Sequence, residues 1–78
     1  MRILDDEVDK KLDTVSLFLT EIEIRHLIGY LKQLLDKKID HAHLMSEDYQ
    51  KEITVCIYDT INSQKFSPRV EKLIREDV

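Results

Sequence analysis

The chain has 78 residues, enough for one domain and too few for a second core. Twelve basic against sixteen acidic residues leave a formal net charge of −4, whereas nucleic-acid binding draws on a positive stripe that displaces counterions from phosphates. With 42% hydrophobic residues and only one Gly and one Pro, the composition excludes collagen-like, low-complexity and turn-rich all-β chains.

Residues 1–12 are charged, with Ile3, Leu4, Val8 and Leu12 scattered among them, and read as an N-terminal arm. Residues 13–19 alternate: Val15, Leu17 and Leu19 on one side, Thr14, Ser16 and Phe18 on the other, the pattern of a half-buried strand. Thr20-Glu21-Ile22-Glu23 then matches a capping box. In that motif the Thr20 hydroxyl accepts the Glu23 N–H, and the Glu23 carboxylate accepts the Thr20 N–H. The helix it opens repeats Ile24, Leu27, Ile28, Leu31, Leu34 and Leu35 in one apolar stripe and is expected to end near Lys38.

The period then changes from helical to two. His41, His43 and Met45 share one face of a short strand, with Ala42 and Leu44 on the other. Residues 46–51 are a polar connection. Residues 52–58 are the most β-prone stretch, with Ile53, Val55 and Ile57 facing the core and Glu52, Thr54, Cys56 and Tyr58 opposite. Pairing Met45 with Glu52 sets His43 against Thr54 and His41 against Cys56. Residues 59–66 have loop composition. Ser67-Pro68 reads as an N-cap and first helical position, opening a short helix with Val70, Leu73 and Ile74.

These elements predict a single α+β domain with a core over 13–58, flanked by the arm and by a loop and short helix over 59–78. Its architecture would be a two-layer β-α-β-β-(α) arrangement. The sheet would be three-stranded and mixed, in the order 2-3-1, with the long helix on one face.

The uncovered face of that sheet would carry Phe18, His41, His43, Met45, Cys56 and Tyr58, a mixed aromatic and polar surface of the kind that marks an interface. The leading expectation is therefore a non-catalytic interaction module that homodimerises through this face. A second expectation is a transition-metal site, because His41, His43 and Cys56 supply the nitrogen and sulfur donors that zinc accepts, with a dimer mate or Glu52 completing the shell. A third is an immunity- or antitoxin-like inhibitor whose acidic surface masks a basic partner. His26, beside the apolar stripe and near Tyr30, reads as a boundary histidine.

Catalysis is not expected, and neither is a cofactor. Cys56 with His41 offers two parts of a nucleophilic site, but no glycine-rich loop or oxyanion device accompanies them. No apolar run approaches the ~20 residues that span a bilayer. The acidic N-terminal segment lacks a signal-peptide core, and one cysteine suits a reducing compartment, so the expected location is the cytoplasm.

The Leu17-Phe18-Leu19-Thr20 helix opening, the His41-Ala42-His43-Leu44 strand and the strand over 52–58 together resemble a group of short uncharacterised bacterial proteins. The resemblance spans about residues 12–59. It implies the strand–helix–hairpin order and a bacterial origin, and no activity.

Overall fold

The computed structural model describes residues 1–59 and 65–78. Of the loop expected over 59–66, residues 60–64 lie outside the described residues. The chain divides into two compact units, Phe18–Ile57 on the one hand and Met1–Leu17 with Tyr58–Val78 on the other. Among the described residues the strands form two separate two-stranded antiparallel sheets, which replaces the expected three-stranded sheet.

In the unit formed by Met1–Leu17 and Tyr58–Val78, β1 (Ile3–Asp5) pairs with β2 (Lys10–Leu12), Ile3 opposite Leu12 and Asp5 opposite Lys10. The segment expected to be an arm is thus a hairpin. Its turn is set locally: the Asp5 carboxylate accepts the Glu7 N–H at 3.0 Å, and Asp9 takes the left-handed conformation at φ 56°. Beyond this hairpin, residues 13–19 join no strand. Their alternation shows what a paired strand would display, but it does not supply the partner. A hairpin across a short turn also needs far less loop closure than a parallel crossover.

The same unit holds α2 (Pro68–Glu76), with Ser67 as N-cap and Pro68 at the first helical position, as the sequence predicts. Its buried residue is Leu73. Two arginines tie the unit together. Arg2 Nε donates to the Leu73 and Ile74 carbonyls at 3.0 and 3.2 Å in the last turn of α2, where the Leu73 carbonyl also accepts the Asp77 N–H. Arg69 Nε donates to the Asp9 carboxylate at 2.9 Å, linking α2 to the β1–β2 turn.

In the other unit, α1 (Glu21–Leu35) is capped by Thr20 with both capping-box bonds formed. Its end is a Schellman motif: Lys37 N–H donates to the Leu34 carbonyl and Lys38 N–H to the Gln33 carbonyl. Lys37 therefore takes the left-handed position, φ 61°, that glycine usually fills, and the helix stops three residues short of the expected Lys38.

After α1, β3 (His41–Met45) pairs antiparallel with β4 (Glu52–Cys56) in the expected register, Met45 to Glu52, His43 to Thr54 and His41 to Cys56. Ala42 and Leu44 are buried beneath α1, with Ile53 and Val55 half-buried beside them. The β3–β4 loop is organised by Ser46. Its hydroxyl donates to Asp48 at 2.6 Å and accepts the Lys51 N–H at 2.9 Å, while Tyr49 takes the left-handed conformation at φ 59°.

Candidate functional site

The chemistry-bearing residues gather on the helix–hairpin unit. Strand alternation sends His41, His43 and Met45 of β3 outward, and Glu52, Thr54 and Cys56 of β4 with them. The two imidazoles stand edge to face, with centroids 5.2 Å apart. His43 Nδ1 lies 2.7 Å from Glu52 Oε1 and 2.9 Å from Thr54 Oγ1, and His41 Nδ1 lies 2.7 Å from Asp40 Oδ1. A carboxylate only accepts, so each Nδ1 carries the proton in these contacts and each Nε2 faces away from them.

Four of the six residues expected at an interface share this face. The other two do not join it through a strand: Phe18, 92% exposed, precedes α1 in irregular chain, and Tyr58 lies beyond the end of β4. The expected metal ligands His41, His43 and Cys56 are all exposed on the face. Among the described residues, no group of three or more His, Cys, Asp or Glu side chains is placed to hold a metal ion.

Glu23 is the one buried charged residue among those described, at 7% exposure. Its Oε1 accepts the Thr20 N–H at 2.8 Å, completing the capping box, and its Oε2 accepts the Glu47 N–H at 2.8 Å from the β3–β4 loop. The Thr20 and Glu47 backbone amides hold this carboxyl below its usual range, against the opposing effect of burial. The capping box is legible from sequence. The second bond is not, because it joins residues 24 apart.

The apolar arc of α1 divides in two. Leu27 and Leu34 lie on the packed side with Glu23 and Tyr30, whereas Ile24, Ile28, Leu31 and Leu35 form a separate row, each between 44% and 76% exposed. The expected single stripe is too wide for what lies beneath it, since a two-stranded hairpin covers one side of a helix. The width of the arc, two adjacent rows at i, i+4, i+7 spacing, is the signal that could have revealed this surface.

The opposite flank of α1 overhangs the β3 edge. Ile22, His26 and Tyr30 from the helix face His43, Met45 and Tyr49 across an open groove of about 390 Å³. His26 is therefore part of a groove wall, a role its sequence position does not show.

No protein-family model, curated protein or solved structure matches this chain. Among the described residues, no helix is long and apolar enough to cross a membrane.

Proposed function

We propose that this chain is a non-catalytic protein-interaction module that works as a homodimer and offers the apolar side of α1 to a protein partner. The observation that carries the reading is the exposed row Ile24, Ile28, Leu31 and Leu35. Among the described residues the buried apolar side chains are only Leu34, Ala42, Leu44 and Leu73, so as many apolar residues stand open along this row of one helix as the interior encloses. Contiguous apolar surface of this kind marks a contact site, and a small chain gains stability by covering it. The hairpin face supports the non-catalytic part of the reading, because its histidines stand on exposed surface where a reacting group stays hydrated. The module is assigned to the bacterial cytoplasm, on the resemblance and on a composition with a single cysteine.

The test is a cross-linked capture with the wild-type chain and with the double variant Leu31→Glu, Leu35→Glu. The expected result is loss of a specific partner in the variant, with helical circular dichroism and native mass unchanged. An identical set of captured proteins in both would overturn the assignment of this surface.

A metal-binding reading keeps one specific support, the two imidazoles on one face with their Nε2 atoms outside the Nδ1 contacts. Titration with zinc alone tests it: stoichiometric binding abolished by His43→Ala would establish it, and no binding would remove it.

A further inference from the structure

The hydrogen-bond phase of the hairpin decides which backbone groups are in use. Ser46 N–H donates to the Lys51 carbonyl and Ile57 N–H to the Asp40 carbonyl, so even-numbered residues of this segment make the bonds to the neighbouring strand. Ala42 and Leu44 therefore bond β4, while His41, His43 and Met45 turn their N–H and C=O groups to the outer edge of β3. Among the described residues nothing pairs with that edge.

We infer that two copies of this chain join through their β3 edges, making one four-stranded antiparallel sheet with the two α1 helices side by side across the joint. The inference rests on the homodimer reading above and names the surface that forms the dimer. The edge is self-complementary. A two-fold axis at His43 sets His43 against His43 of the mate and His41 against Met45 of the mate, so three residues on each strand exchange about six backbone hydrogen bonds. Each His43 keeps its contact with Glu52 of its own chain.

Gly29 supplies an independent observation. It is the chain's only glycine, it lies in the middle of α1, and an added Cβ there would meet nothing within 4 Å. Neither a turn nor close packing among the described residues accounts for a residue so unfavourable to helices. At i, i+4, i+7 spacing, Gly29 follows Ile22 and His26 on the flank that overhangs the β3 edge.

Its level along the strand follows from the rise of each element. Six residues of α1 beyond Glu23, which is anchored to Glu47, is about 9 Å, or nearly three strand residues. That places Gly29 beside His43 and Leu44, at the axis. Helices centred on adjoining hairpins would stand two strand spacings apart, about 10 Å; α1 leans toward the β3 edge, which brings the pair closer and calls for a small residue at the crossing. A lone peptide strand on the same edge would bring no helix to this flank and give Gly29 no role.

The experiment is amide exchange followed residue by residue by NMR on the untagged chain, beside native mass, over a dilution series. The expected result is a dimer in which the His41, His43 and Met45 amides are protected together with Ala42 and Leu44, the first three losing protection on dilution to monomer. Gly29→Leu should raise the dissociation constant at least about tenfold, equivalent to about 1.4 kcal/mol, without loss of helical signal. Should that variant fail to fold, the wild-type amide pattern decides. A dimer whose three edge amides exchange fast would overturn the inference while leaving the homodimer reading standing. A monomer at every concentration would overturn both. Edge protection that arises only when a different protein is added would assign the edge to that protein instead.

Discussion

The two units hold themselves together by different means. In Phe18–Ile57 the ties come from pattern and backbone: an amphipathic helix on an alternating hairpin, with a carboxylate fixing the helix start to the hairpin loop. In Met1–Leu17 with Tyr58–Val78, two three-residue strands and a nine-residue helix are joined by Arg2 and Arg69, whose guanidinium groups reach carbonyls and carboxylates far along the chain. The first kind of tie uses side chains at fixed spacing. The second needs only one long side chain and a place to land it, so it leaves almost no trace in local periodicity.

Core truncation is the strongest way to break the comparison. Leu44→Ala and Leu73→Ala each remove a buried side chain, one per unit, and each should cost about 3 kcal/mol in urea unfolding. If each substitution moves a different transition, the units fold separately; a single shared transition would show that they fold as one. Next come the single ties. Arg2→Ala removes the donor at the end of α2 and should cost about 1 kcal/mol, similar to Thr20→Ala at the start of α1, both read from thermal unfolding. A near-zero effect of Arg2→Ala would show that solvent serves those carbonyls equally well.

Smaller still, and opposite in sign, are the backbone substitutions. Gly29→Ala should stabilise the monomer by up to about 1 kcal/mol through helix propensity, and Lys37→Gly should do so by a similar amount by relieving a left-handed side chain. Calorimetry under monomeric conditions checks both.

The pH dependence separates the units in another way. The folded state lowers the Glu23 pKa below its ordinary value of 4.5, so its contribution is fully present above about pH 4.5 and is lost as pH falls through the lower, folded value. Glu23→Gln should flatten that part of the acid-unfolding curve of the helix–hairpin unit. An unchanged curve would show that this carboxylate is not linked to stability.

How far the fold could be read follows from the same contrast. The capping box at Thr20, the start of α2 at Ser67-Pro68 and the β3–β4 register all rest on spacing within a few residues or on alternation that a slip would ruin. Residues 13–19 show the limit. Their alternation is as regular as that of 52–58, yet they join no strand, because the pattern specifies a face and not a neighbour. The β1–β2 hairpin fails to show for the converse reason: a three-residue strand is too short to establish a period, and Asp9 and Asp5 shape its turn without a glycine. At the candidate site, the shared face of His41, His43, Met45 and Cys56 was legible, since two adjacent strands define it. The exposed row of α1 shows in sequence only as an apolar arc of unusual width, which points to an open surface once it is known that two strands lie beneath the helix.

The bond from Glu23 to Glu47 has a consequence for the order of assembly. A helix ordinarily frays from its first turn inward, and a hairpin opens from the ends away from its loop. Here the first turn of the helix and the loop of the hairpin share one carboxylate, so loosening either one breaks the bond from the Glu47 N–H to Glu23 and leaves a buried group without its partner. The fraying turn of the helix is fastened to the firm end of the hairpin, and opening of the unit should begin at the far end, where α1 hands over to β3 through residues 36–40.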